Sequence, residues 1–484
     1  MLLEFDETLR ESLFNLLNFP PKEKELIISF LRKFKHREDF YLTGGTVRSL
    51  FISEKTTDLD FTVKKEIISL VLFAKDFLKY HFVPLAPELG IYRLAKGENT
   101  IDFTAFRGET IEEDLKKRDF TFNAMAIPVK SLFENKFIVL DPCSGYRDLK
   151  GGVIRAIGEE NITEDPLRIL RGYRFFAYGY GNIEENTRRI FCLHKHKIKL
   201  CAKERILQEL LYILNTSKAF ETFKLMDEDN ILTEIFPYLE KTRGVPQPSF
   251  HHLDVAGHLL ESLKWAEEIL KDPEKYLGMK KIEEMKDVDF IVSVKLASLF
   301  HDLGKAFTFD IKDRITFYGH EKVSAELFKE MAERLKFKRD LINRIYILIK
   351  NHMRPFHLLN EKEKGRLTLR AKRNLIRDVP YLKELFIVCM ADSLASQGPD
   401  KEPDYEERLK LFFYELFELK EQIEKESKKK RIITGNDLIE LGFKPGPIFK
   451  EILQDVEIQI LEKRFKSKEE ILGYIKEKYG KEKL

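Results

Sequence analysis

Cysteine is scarce in this chain of 484 residues. Only Cys143, Cys192, Cys201 and Cys389 occur, in no paired spacing that would hold a metal. This excludes a disulfide-stapled scaffold and a cysteine-based zinc module, and leaves buried thiols in a reducing, cytoplasmic setting. Long apolar runs are missing too: nothing approaches the roughly 18 residues of a membrane span, so no membrane partner is expected. The opening MLLEFDETLRESLF is acidic where a secretion signal carries basic residues. Charge of one sign is also lacking, since 84 Lys and Arg against 81 Asp and Glu leave +3. A nucleic-acid partner must then be held by local patches. Lys195, Lys197, Lys199 and Lys203 form one, and Lys428, Lys429, Lys430 and Arg431 another. Each reads first as a solvated face. Glutamine, at six, is rare beside abundant Lys and Glu, a thermophile-like balance. What remains, 43% hydrophobic and 34% charged, is the composition of a folded protein. Its length suggests about three domains.

Residues 1 to about 36 read as helical, with Pro21 near a helix start. From Phe40 to Gly158, short β-rich runs (FYLTGG, DLDFTV, GIYRLA, NTIDFTAF, NAMAIPV, KFIVLD) alternate with helical stretches. After Thr163, apolar residues recur at helical spacing to the end. Pro/Gly-rich breaks at 242–252 and 398–404 interrupt that helical body. No fixed-period repeat or low-complexity tract is visible.

Chemistry concentrates between Gly44 and Ala126. Asp58 and Asp60 sit two apart in a β-like run, so both carboxylates project from one face of a strand. Two like charges that close invite a divalent cation, and hard oxygen ligands suit Mg²⁺. Asp102 adds a third carboxylate on another expected strand, with Phe103 and Ala105 on the opposite face. Just upstream, Gly44-Gly45 follows FYLT and precedes TVRSLF. Such a turn lets backbone N–H groups and a helix N-terminus face phosphate oxygens. Singly, these features read as a turn and a solvated strand end. Together they point to metal-assisted attack of a hydroxyl on an α-phosphate.

Two further constellations lie in the helical body. Thr163 is expected to cap a helix that Pro166 helps start, putting Asp165 and Arg168 on one face. A carboxylate acceptor beside a guanidinium donor can match the edge of a base, although a surface ion pair is the plainer reading. Further on, His258, His301, Asp302, His320, His352 and Asp392 recur in order on mostly helical sequence. Imidazoles and carboxylates of this kind form divalent sites. His251, His252 and His357 fall outside this order and read as structural or exposed. His194 and His196, among lysines, read as phosphate-facing.

In sequence, GGTVRSLF, TTDLDFTV, IDFTAFRGETIEEDLKKRDFTFNAMAI, DPCSGYRDLKGGVIRAIG and EDPLRILRGYRF resemble the class II tRNA nucleotidyltransferases and their bacterial poly(A) polymerase relatives. The resemblance implies an α+β, DNA-polymerase-beta-like nucleotidyltransferase head followed by a long all-α body with an HD domain and a helical tail. The implied divisions are a head at 1–158, a neck with base-selecting and RNA-binding helices at 159–245, the HD domain at 246–400 and a tRNA-contacting tail at 401–484. By resemblance, Asp58 and Asp60 bind catalytic Mg²⁺ and Asp102 takes the place of a third acidic residue. Gly44, Gly45 and Arg48 would handle the triphosphate. Arg118, Asp119 and Asn123 would contact the incoming nucleotide, with Lys117 replacing the family's usual Arg. Asp165 and Arg168, helped by Arg171, would act as an amino-acid template for the base. The partners implied are the tRNA 3′ end and elbow, with CTP and/or ATP; no protein partner is expected.

The family usually reads GGxVRD, and Ser49 stands where that Asp would be. Where CCA-adding members often carry a GxxHGTV-like flexible loop, this chain reads VPLAPELGIYRLAKG, which leaves CC-only or A-only addition open. The His/Asp order resembles the HD phosphohydrolase superfamily. It implies metal-activated water attacking phosphorus, with a divalent transition metal or Mg²⁺; a degenerate HD fold kept for tRNA contact is the alternative. Thr434 is expected to cap a helix near Asn436 in a tail that resembles HD-bearing relatives. The expected activity is therefore a tRNA 3′-terminal nucleotidyltransferase, untemplated by nucleic acid, with end repair as a second activity. A poly(A) polymerase, or an HD phosphohydrolase with an RNA-binding head, are the alternatives. Asp58, Asp60 and EDPLR argue against the last.

Overall fold

The computed structural model describes residues 2–5, 7–134, 136–311, 313–427, 433–461, 465 and 467–480. The basic run Lys428, Lys429, Lys430 and Arg431 lies outside the described residues. The chain divides into two compact units, Met1–Pro237 and Tyr238–Leu484.

The first unit is built on a mixed sheet of eight strands: β1 (Leu2–Phe5), β2 (Phe40–Thr43), β3 (Asp58–Val63), β4 (His81–Ala86), β5 (Ile91–Lys96), β6 (Asn99–Ala105), β7 (Ala126–Pro128) and β8 (Phe137–Leu140). Their order across the sheet is β1-β8-β7-β2-β3-β6-β5-β4. Only the β3–β6 pair is parallel; the other neighbours run antiparallel. Period-two alternation sorts the two faces of β3 and β6. Leu59, Phe61, Ile101 and Phe103 are buried on one face, where Phe61 lies 5.0 Å from Phe40 and 5.3 Å from Phe103. Each such buried ring contributes roughly 1.5–3 kcal/mol. The opposite face carries Asp58, Asp60, Thr100 and Asp102, so packing of one face aims the carboxylates on the other.

One expectation fails at the N-terminus. Residues 2–5 are not helical but pair with Phe137–Leu140 in the sheet. That pairing is made with residues more than 130 positions away, and local periodicity does not encode it. The expected helix does follow, with Pro21 opening Pro21–Lys33.

The neck sequence also departs from its reading. Thr163 lies inside a short helix, Glu159–Glu164, and its hydroxyl donates to the Glu160 carbonyl instead of capping the next helix. Asp165 is extended, and the following helix, Leu167–Ala177, begins after Pro166. The residue before a proline is pushed out of helical geometry, so the expected helix starts after Pro166 and not at Thr163.

The second unit is helical. Val288–Phe300 and Leu382–Ala395 are buried on nearly every side and pack against Val255–Lys271. A helix apolar all round is a core helix, so its polar residues need partners. Lys295 finds one in Glu267, 3.0 Å away, both buried. The C-terminal residues form a separate cluster around Leu438, Ile452 and Ile475. There Thr434 caps Gly435–Glu440 in a capping box with Asp437. Among the described residues no helix is long and apolar enough to cross a membrane.

Candidate functional site

The carboxylates of the first unit meet a glycine turn. Gly44 opens the helix Gly44–Phe51 at φ +61, which only glycine adopts without strain. The Gly45 N–H donates to Asp60 Oδ2 at 2.9 Å. A Cβ at Gly44 would lie 3.1 Å from Arg118 Nη1 and 3.2 Å from Asp60 Oδ2, so turn, guanidinium and carboxylate converge. Thr46 Oγ1 accepts from the Asp60 N–H, and Thr100 Oγ1 donates to Asp58 Oδ1 at 2.6 Å. Asp60 stands opposite Asp102 in the parallel register. Burial, then the neighbouring Asp102 carboxylate, pushes the Asp60 pKa up, with Asp58 adding to the effect. Crowded oxygen donors of like charge are the donor set a hard divalent cation relieves, so these residues fit Mg²⁺.

Asp102 is not open in the same way. Arg93 on β5 grips both its oxygens, Nε to Oδ1 and Nη2 to Oδ2, each at 2.7 Å. Sequence reasoning missed Arg93. Its signal was the hairpin about KGEN, which puts residue 93 across from 102.

Around the turn, Arg48 Nη1 donates to Asn123 Oδ1 at 2.6 Å. Arg118 donates to Asp114 Oδ2 and to Thr62 Oγ1. Asp119 accepts from the Phe120 N–H and from Asn123 Nδ2, and its Oδ2 lies 2.7 Å from Arg171 Nη2. Burial raises the Asp119 pKa, but Arg171 and the Asn123 hydrogen bond outweigh it and hold it low. The side chains of Asp165 and Arg168 are not paired, contrary to the one-face expectation. Asp165 Oδ2 meets Arg205 Nη2 at 2.8 Å, while the buried Arg168 donates to the Asn161 carbonyl at 2.8 Å. His194, read as phosphate-facing, instead places Nε2 2.7 Å from Glu159 Oε1.

All six His and Asp residues singled out in the second unit are buried, and they converge. His258, His301, Asp302 and Asp392 form one ligand group; Asp302, His320 and His352 form another. Asp302 therefore faces both, with Oδ2 3.4 Å from His258 Nε2 and Oδ1 3.0 Å from His320 Nε2. The local geometry prepares the rings. Nδ1 of His301, His320 and His352 each lies 2.7–2.9 Å from the carbonyl three residues back. Donation there leaves Nε2 as the free lone pair, the tautomer a metal needs. His320 Nε2, His352 Nε2 and Asp302 Oδ1 are buried and make no hydrogen bond among the described residues. Buried polar atoms aimed at one another without hydrogen bonds fit a divalent cation. Although burial lowers it, the His301 pKa is pushed up to about 10 by Asp302 and Asp392, so the cluster calls for positive charge.

Two residues here escaped the sequence reading. Lys305 Nζ lies 2.5 Å from Asp302 Oδ2 and donates to Gln247. His251, expected outside the group, packs its ring 4.7 Å from His258, with Nδ1 3.0 Å from Ser396 Oγ. The Pro/Gly-rich interruption of the helical pattern at 242–252 hid that long-range contact from helical spacing.

Comparison with known proteins places these features in a common order. Residues 40–155 match the poly A polymerase head domain, 182–242 the probable RNA- and SrmB-binding site of polymerase A, 255–397 the HD domain, and 382–474 the tRNA nucleotidyltransferase domain 2. A CC-adding tRNA nucleotidyltransferase of Thermus thermophilus is 29% identical over 454 residues, 90% of this chain and 93% of that protein. An A-adding tRNA nucleotidyltransferase of Deinococcus radiodurans is 29% identical over 428 residues, 85% of this chain and 89% of that one. Among solved structures, the Thermotoga maritima CCA-adding enzyme complexed with tRNA has a TM-score of 0.64 at 24% identity, covering 98% of this chain and 99% of that one.

Proposed function

The chain belongs to the tRNA nucleotidyltransferase family with a poly(A)-polymerase-type head and an HD domain, and from that premise we propose that it extends tRNA 3′ ends with C, A or both. The observation that carries this reading is the meeting of Gly45 N–H, Asp60 and the strand face bearing Asp58 and Asp102.

Asp58 and Asp60 would hold Mg²⁺, which supplies charge neutralisation at the α-phosphate and activation of the attacking hydroxyl. The turn at Gly44-Gly45, with Arg48 and Arg118, orients the triphosphate. The tRNA 3′ hydroxyl loses its proton to solvent as its oxygen bonds to the α-phosphorus, the bond from phosphorus to the α–β bridging oxygen breaks, and pyrophosphate leaves. Asp119 and Asn123 brace the nucleotide side of the cleft. Asp165 offers carboxylate acceptors and Arg168 and Arg171 offer donors to the edge of the base. We assign residues 1–158 to the head, 159–245 to the neck, 246–400 to the HD domain and 401–484 to a tail that holds the tRNA elbow by shape and backbone. The expected setting is the cytoplasm.

The second unit would carry metal-dependent phosphohydrolase activity on tRNA 3′ ends. His258, His301, Asp302 and Asp392, with His320 and His352, would hold a divalent transition metal or Mg²⁺.

Incubation with tRNAs lacking CCA, CA or A, each with single labelled nucleotides, tests the reading. Addition of C alone, A alone or the whole end assigns the subtype. Absence of incorporation on all three substrates would sink it.

A further inference from the structure

Arg48 belongs to the triphosphate turn, yet the residue after it, Ser49, has no carboxylate to hold it. The first unit solves this with rings. The Arg48 guanidinium carbon lies 5.2 Å from the centroid of Phe175 and 5.0 Å from that of Tyr180. The two rings are stacked, 5.6 Å apart at 19°. Phe175 is on the helix Leu167–Ala177, which also carries Arg168 and Arg171.

Tyr180 is fixed by its own backbone. It sits between Gly179 at φ +81 and Gly181 at φ +141, and its N–H donates to the Phe175 carbonyl at 3.1 Å. A Cβ at Gly181 would lie 1.9 Å from the Gly152 carbonyl oxygen, so glycine alone allows this approach. Its hydroxyl donates to Glu54 Oε2 at 2.9 Å, and Phe122 packs edge-on 6.2 Å away. The ring is thus locked from four directions.

Building on the nucleotidyltransferase reading, we infer that Tyr180 is a positioning residue for the triphosphate, acting through Arg48. A carboxylate partner would occupy guanidinium N–H donors and cancel charge. A ring face does neither: cation–π attraction orients the guanidinium and spends none of its donors. Nη1 is used by Asn123, and Nε makes no hydrogen bond among the described residues. Nε is buried, and Nη2 is the donor on the side of the turn, where a Cβ at Gly45 would lie 3.6 Å from it. The guanidinium charge and Nη2 therefore stay available to phosphate oxygens. The same clamp joins the turn that grips the triphosphate to the helix that bears the base-reading arginines.

The test is a double-mutant cycle on the full chain. Wild type, Y180F, Y180L, R48Q and R48Q/Y180L are compared for labelled CTP and ATP binding with Mg²⁺, and for KM and kcat of incorporation. Melting temperature checks that each variant folds. Y180L is expected to weaken triphosphate binding and raise KM about tenfold, the order of a desolvated cation–π contact, with kcat changed far less. Y180F keeps the ring and should stay within about twofold. In the R48Q background the Y180L effect should vanish. An undiminished Y180L effect in that background, or wild-type binding by Y180L, overturns the inference. Failure of the wild type to incorporate CTP or ATP into tRNA, with the binding cycle still coupled, refutes the nucleotidyltransferase reading and leaves the clamp standing.

Discussion

The two polar centres of this chain are built on opposite plans. In the first unit the carboxylates lie on one sheet face: Asp58 is exposed and accepts from the Thr100 hydroxyl, and Asp60 is half-buried and accepts from the Gly45 N–H. In the second unit every ligand candidate is buried, and backbone carbonyls dictate the tautomers of three histidines. The first arrangement, with Asp58 exposed, suits ions that come and go with a substrate. The second suits a resident ion, since buried imidazoles and carboxylates that face one another are costly to leave without a cation. This contrast in exposure is the physical ground for expecting metal that arrives with substrate at the first centre and resident metal at the second.

The largest effects should break the comparison cleanly. Asp60→Asn should abolish nucleotide incorporation while leaving hydrolysis of 2′,3′-cyclic phosphate ends to monoesters unchanged, because the second cage is untouched. Relief of the crowding that raises the Asp60 pKa should also keep the melting temperature at or above wild type. Asp302→Ala should do the reverse. Metal copurifying with the full chain, measured by elemental analysis, should fall sharply, and incorporation should persist. If Asp60→Asn also stripped tightly held metal, the contrast between transient and resident ions would be wrong.

A smaller effect sharpens the difference within the head. Arg93 grips Asp102 with two 2.7 Å bonds, so Asp102 is aimed by a partner as metal-binding histidines are aimed by carbonyls. Arg93→Leu should lower incorporation by roughly 10–100-fold, the range for removing an orienting partner of a ligand. Arg93→Lys should recover little, since one ammonium cannot reproduce a bidentate grip. Equal rates for Arg93→Leu and wild type would reduce the pair to a surface ion bridge on a sheet hairpin.

What could be read in the sequence follows the range of each interaction. Asp58, Asp60 and Asp102 were legible because strand alternation is local and fixes their face. The six His and Asp residues were legible as an ordered set, although only folding shows that Asp302 addresses both ligand groups. Partners made across the fold were not legible. Arg93 needs a hairpin register, Arg205 needs the approach of a later helix to Asp165, and His251 needs the return of a broken segment to His258. Asp165 shows the opposite error. A motif read as one helix face was split by the proline within it, and its carboxylate found a partner 40 residues on.

The smallest effect concerns acid. Asp119 lies buried between the head strands and the helix that bears Arg171, and it is held ionised against its own burial. Its folded pKa lies below the unfolded value near 3.9. The stabilisation is therefore fully present above about pH 4 and lost as pH falls through the folded pKa, where both states are protonated. Asp119→Asn removes the charge but keeps the shape. It should cost on the order of 1–3 kcal/mol near pH 7. For a unit of this size that is about 2–4 °C of melting temperature per kcal/mol. The gap between variant and wild type should close as the pH of a melting series drops below 4. A gap that stays constant with pH would mean that Asp119 acts by packing and hydrogen bonding, with its charge pair to Arg171 contributing nothing.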